Sequence, residues 1–103
     1  MHDIQELQDN ALEAERYLKV LANKNRLMIL CTLMESELSV GELNQTIPLS
    51  QSALSQHLGR MRELGFVSTR KAGQVVFYRV SDDKVRQLLA AFYEVFCGEK
   101  ASV

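Results

Sequence analysis

"SVGELNQTIPLSQSALSQHLGRMREL", Ser39 to Leu64, decides the fold of this 103-residue chain. The stretch opens on a capping box: Ser39 caps the backbone three residues on, and Glu42 reaches back to the Ser39 N–H. A short helix to about Gln45 follows. Pro48 in "TIPLS" ends helical geometry, and Ser50 caps the next helix. That helix covers 50–64 and stops at Gly65, a residue type suited to the left-handed position past a helix end. At 100° per residue, Ala53, Leu54, Leu58, Met61 and Leu64 share one side. Ser52, Ser55, Gln56, Gly59 and Glu63 lie opposite, with Gln51 in the exposed first turn. Two helices joined by a tight turn, the second apolar inside and short-polar outside, form a helix-turn-helix with a recognition helix.

Working outward from this unit, "FVSTRKAGQVVFYRV" over 66–80 predicts a β-hairpin. Val76, Tyr78 and Val80 alternate with Val75, Phe77 and Arg79, and Gly73 supplies the turn. A hairpin directly after a helix-turn-helix is the winged arrangement. Upstream, Leu7, Ala11, Ala14, Leu18 and Leu21 recur at helical spacing, which predicts a helix over 4–21. A second, from Lys24 to Met34, is apolar on every side and is expected to be buried. The last helix starts near Asp82 and Asp83 and continues to Cys97, covering 82–97. The expected fold is mainly α with a two-stranded hairpin, in the order ααααββα. It is read as a single winged helix-turn-helix domain over residues 1–103.

Net charge is −1, which gives no hint of a nucleic-acid partner, but the distribution does. Between Ser50 and Val80 stand Arg60, Arg62, Arg70, Lys71 and Arg79 against Glu63 alone. Residues 1–49 carry 4 basic and 8 acidic residues. A basic segment in an otherwise acidic chain is a phosphate-facing surface in outline. The outward residues of the recognition helix carry the chemistry such a surface needs. Gln51 and Gln56 can pair with adenine, Ser52 and Ser55 can bond to several bases, and Arg60 can reach phosphate. His57 falls toward the apolar side, so its expected contact is with backbone rather than base. Arg70, Lys71 and Gln74 surround the wing turn, where they would lie along phosphates or the minor groove.

The last helix carries two apolar stripes: Val85, Leu88, Leu89, Phe92, Val95 and Phe96, then Ala90, Tyr93 and Cys97. Such a helix touches two bodies, its own core and a second copy of the chain. A homodimer through the first and last helices would present two recognition helices about 34 Å apart to an inverted-repeat operator in double-stranded DNA.

The two cysteines are Cys31, in "RLMILCTLM", and Cys97, in "YEVFC". From the residues alone, Cys31 is a small core residue whose burial raises its thiol pKa. Cys97 sits at a helix C-terminus, where the dipole disfavours a thiolate. Other readings stay open at this point: soft ligands for a thiophilic metal such as Cu(I), a thiol enzyme, or an interaction module that binds no DNA. Hydrophobic content of 47% is ordinary for a globular protein, and no apolar run approaches the length of a membrane span. The opening "MHDIQELQDN" is acidic and polar, unlike a signal peptide, so a reducing cytoplasmic location with no membrane partner is expected.

From about Ala11 to Cys97, and most strongly over "LSVGELNQTIPLSQSALSQHLGRMRELGFVSTRKAGQVVFY", the sequence resembles the ArsR family of bacterial winged-helix repressors. The resemblance implies base contacts from Gln51, Ser52, Ser55 and Gln56, a homodimer, and release of DNA by an inducer. Arsenic and cadmium sensors of the family carry "CVC" where this chain has "SVG". Zinc and nickel sensors carry histidines on the last helix, and "DDKVRQLLAAFYEVFC" has none. No metal and no other cofactor is therefore expected. The remaining pair, Cys31 and Cys97, resembles the dithiol subgroup of BigR, SqrR and HlyU. That resemblance implies a non-enzymatic repressor whose Cys31 and Cys97 sense reactive sulfur species or oxidants, closing a disulfide or longer polysulfide bridge. The alternative is an ArsR-type repressor that answers to a thiophilic metal or another ligand.

Overall fold

The computed structural model describes residues 3–102; His2 lies outside them. Five helices and three strands follow in the order α1 (Ile4–Leu21), α2 (Lys24–Glu35), β1 (Leu38–Ser39), α3 (Val40–Asn44), α4 (Gln51–Glu63), β2 (Val67–Ala72), β3 (Val75–Val80) and α5 (Asp83–Ser102). Local signals place most of the boundaries. Asp3, Asn23, Ser39 and Ser50 cap α1 to α4, each accepting a backbone N–H with its side-chain oxygen. The Ser39–Glu42 capping box is formed in both directions. Gly65 and Gly73 take positive φ, of 81° and 65°, at the end of α4 and in the wing turn.

One element goes beyond the expected pattern. Leu38 and Ser39 pair antiparallel with Tyr78 and Phe77, making the sheet three-stranded in the order β1-β3-β2. Two residues are too few for strand alternation to register, and Ser39 serves both as strand residue and as helix cap. The hairpin itself lies where the sequence puts it, with Arg70 opposite Phe77 and Lys71 opposite Val76.

The core is a single cluster. Ile29, Leu30 and Leu33 of α2 meet Leu43 of α3, Leu54, Leu58 and Met61 of α4, Phe66, Val67 and Val80 of the wing root, and Val85 and Leu89 of α5. Only the C-terminal turns of α1 join it, through Tyr17, Val20 and Leu21. Of the apolar positions that recur along α1, Leu7, Ala11, Ala14 and Leu18 are exposed and Leu21 is buried. Ile4, Leu7, Leu12 and Leu18 are 51–71% exposed, as are Val95 (72%) and Phe96 (74%) on α5. Accordingly the radius of gyration is 15.2 Å, larger than the ~13 Å of a compact chain this long.

Asp82 joins the outer helices. One carboxylate oxygen accepts the Val85 N–H at 2.9 Å and so starts α5; the other accepts the Tyr17 hydroxyl at 2.9 Å. The Tyr17 ring stacks on Phe66 with centroids 5.0 Å apart. Losing Asp82 removes a helix cap and strands a part-buried hydroxyl. Asp82→Ala is expected to lower the unfolding free energy by about 2 kcal/mol in urea titration. A loss below about 0.5 kcal/mol would mean that Asp82 does not hold this corner.

Candidate DNA interface and dithiol pocket

The inner side of α4 is fixed by Leu54, Leu58 and Met61, all fully buried, and this fixes what the outer side presents. Gln51, Ser52, Ser55, Gln56, Gly59, Arg60 and Arg62 are exposed, and His57 is half-buried. The turn before α4 is held by Ile47, 2% exposed, and by the Asn44 side-chain amide donating to the Leu49 carbonyl at 2.6 Å. The recognition helix is thereby presented at a set angle. A Cβ at Gly59 would meet nothing within 4 Å, so the face stays open at that point. Arg60 has only a loose 3.9 Å approach to Glu63, both side chains well exposed, which leaves its guanidinium available to a phosphate.

On the wing, Lys71 and Gln74 are exposed beside the turn. Arg70 differs. Its Nε and Nη2 both donate to one carboxylate oxygen of Glu37, at 3.0 and 2.7 Å, and its guanidinium lies 4.9 Å over the Phe77 ring. That pairing holds the Glu37 carboxyl below the usual carboxylate range. Arg70 thus braces the wing against the segment leaving α2. Glu37 gave no signal of this in the sequence, because the two residues are 33 positions apart and meet only across the sheet.

Cys31 and Cys97 are brought together. Both carry free thiols and both line a pocket between α2 and α5, with Lys24, Leu27, Met28, Phe92 and Tyr93. Cys31 is 8% exposed and Cys97 is half-buried, on the outer side. Burial pushes the Cys31 thiol above its ordinary value; the nearby Tyr93 hydroxyl pulls it down, and the neighbouring Cys97 and Glu35 push it up. Tyr93 is the functional residue that the sequence reading placed without giving it a role. Its position one turn before Cys97 puts the two on the same face of α5, which was the available signal. Among the described residues no three His, Cys, Asp or Glu side chains converge as a metal-ligand set. Likewise, no described helix is long and apolar enough to cross a membrane.

A polar recognition helix carried on a helix-turn-helix, followed by a basic β-wing, defines a winged-helix DNA-binding protein. Comparison with known proteins agrees. Residues 23–69 match the model of the bacterial regulatory protein, arsR family. The transcriptional activator HlyU of Vibrio cholerae is 46% identical over 95 residues, spanning 92% of this chain and 88% of that protein. The biofilm growth-associated repressor of Xylella fastidiosa is 44% identical over 96 residues, spanning 93% and 84%. Reduced HlyU from Vibrio cholerae superimposes with a TM-score of 0.86 at 47% identity, over 91% of this chain and 99% of that one. The chain belongs to the ArsR family, and it is a DNA-binding transcriptional regulator.

The thiol environment sets an order of reactivity. Because the thiolate is the nucleophile, a raised Cys31 value confines its alkylation to higher pH. In timed iodoacetamide labelling read by peptide mass spectrometry, Cys97 is expected to label ahead of Cys31 at pH 7.5. Tyr93→Phe removes the one interaction that favours the Cys31 thiolate, so the pH at which Cys31 labels should move up. A downward move would mean that the hydroxyl accepts from the thiol rather than donating to it.

Proposed function

We propose that the protein is a homodimeric repressor that occupies an inverted-repeat operator when its dithiol is reduced and leaves it when Cys31 and Cys97 are bridged. The observation that carries this reading is the shared pocket: two thiols 66 positions apart in sequence face the same space with one tyrosine between the helices. The relative with a structure described as reduced has a fold superimposable on this one, which supports a protein with two redox states.

The dimer rests on the exposed apolar rows. Ile4, Leu7 and Leu12 on α1 are exposed, and Leu18 on α1, with Val95 and Phe96 on α5, borders a groove of about 280 Å³ between the two helices. Patches of this kind call for a partner, and a second copy related by a two-fold axis places two α4 helices in successive major grooves. Gln51, Ser52, Ser55 and Gln56 read bases. Arg60, Lys71 and Gln74 meet the backbone, and His57 supports the helix from its half-buried position. Arg70 joins them only by exchanging Glu37 for a phosphate.

In the chemical step, the more accessible Cys97 thiolate attacks the outer sulfur of a persulfide, R–S–SH. This forms a Cys97 persulfide and releases R–SH. The Cys31 thiolate then attacks the Cys97 Sγ, forming the disulfide and expelling HS⁻, which takes a proton. Two protein thiols and one persulfide become one disulfide, one thiol and one hydrogen sulfide. The link pulls α2 toward α5, and since α5 also carries the dimer face, the spacing of the heads changes. The competing reading, release by a thiophilic metal on the same two sulfurs, gives no such disulfide.

Duplexes selected from a random pool by the reduced protein supply the operator for the test. Treatment with an organic persulfide should release the wild type, while Cys31→Ser and Cys97→Ser stay bound. Retention of full affinity by the treated wild type would overturn the switch. Separately, Arg60→Gln and Lys71→Gln should each reduce the slope of log affinity against log salt by about 1.8, one phosphate contact per protomer and two per dimer. Glu37→Gln should steepen it by a similar amount, by freeing Arg70.

A further inference from the structure

The dithiol pocket has a polarity of its own. It encloses about 400 Å³, and apart from the thiols its walls are Leu27, Met28 and Phe92 with the Tyr93 hydroxyl. That hydroxyl lies near enough to Cys31 to favour its thiolate. Lys24, at the first turn of α2, is exposed and stands at the rim. At roughly 30 Å³ per water, the space holds on the order of ten waters or a tail with a similar number of heavy atoms. Few polar groups are present to bind those waters well, so an apolar occupant displaces them at a gain.

Hydrogen peroxide draws no binding from such walls. A peptide thiol derivative such as glutathione disulfide, carrying several charges, must shed hydration to enter. An alkyl group gains from the transfer. Resting on the dithiol reading above, we propose that this pocket is a binding site selective for organic sulfur electrophiles, disulfides or persulfides, that carry an apolar tail.

With a disulfide R–S–S–R, the Cys97 thiolate attacks one sulfur. The Cys97–S–S–R bond forms as the R–S–S–R bond breaks, and RS⁻ leaves with a proton. The retained tail lies against Leu27, Met28 and Phe92, which holds the mixed disulfide beside Cys31. The Cys31 thiolate attacks the Cys97 sulfur and expels the second RS⁻, which is protonated in turn. Two protein thiols are oxidised, and one disulfide is reduced to two thiols.

The test uses the full chain and symmetrical dialkyl disulfides from dimethyl to dibutyl, with glutathione disulfide as the charged comparison. Each rate of Cys97 modification is divided by the rate with N-acetylcysteine, which cancels intrinsic reactivity. The normalised rate should climb with each methylene, by up to about fourfold, the partition gain of one buried CH₂. Glutathione disulfide should be slowest. Leu27→Asn and, separately, Met28→Gln should flatten the climb. A flat or falling series in the wild type overturns the proposal whether or not the variants fold. Duplex release is read in parallel. If the bridge forms without release, the switch reading fails while the selectivity still stands or falls on the series.

Discussion

A helix that is apolar on every side must be covered on every side, and α2 is that helix. Ile29, Leu30, Cys31 and Leu33 are buried and Leu27 and Met34 partly so, and within α2 only the end residues Lys24 and Glu35 are exposed. Most of the fold can be read as the means of covering it. The helix-turn-helix, the wing root and α5 each bring an apolar side to it. α5 is the cover laid over Cys31, and the dithiol pocket is the imperfect seam between those two helices. In the proposed switch, a covalent bridge across that seam draws α2 and α5 together.

Two polar links carry such a movement outward from α2. At its C-terminal end, Met34 accepts from Arg86 Nη1 at 3.8 Å, while Arg86 Nη2 donates to the Val80 carbonyl at 2.8 Å, so α2, α5 and the wing share one side chain. Two residues past the helix end, Glu37 holds Arg70. Cys31 therefore lies on an element tied to the dimer helix on one side and to the DNA-facing wing on the other. The same N-terminal end of α5 is also secured by Asp82 to Tyr17 of α1.

Much of this was legible in the sequence, and for local reasons. Capping side chains and glycines act within three or four residues of their own position, which is why Ser39, Glu42, Ser50, Gly65 and Gly73 could be assigned before any fold existed. The polar face of α4 followed from helical period alone. What was not legible is long-range. β1 is too short to show a pattern, Arg70 read as a free cation because Glu37 reaches it only across a sheet, and how little of α1 joins the core was not readable because periodicity says a face is apolar without saying which body covers it. Cys31 was the sharpest case: its own segment reads as core, and only the placement of α5 sets a second thiol and a hydroxyl beside it.

The central claim is that the dithiol and the DNA face share one equilibrium, and such coupling must act in both directions. The direct measurement is the reduction potential of the Cys31–Cys97 pair in a defined redox buffer, with and without saturating operator duplex. If duplex prefers the reduced protein, its presence stabilises the dithiol and makes the potential more positive. Because one duplex couples to the two dithiols of a dimer, the expected shift is about 15 mV for each tenfold difference in affinity between the fully reduced and fully bridged dimers. A potential unchanged by saturating duplex would contradict the account.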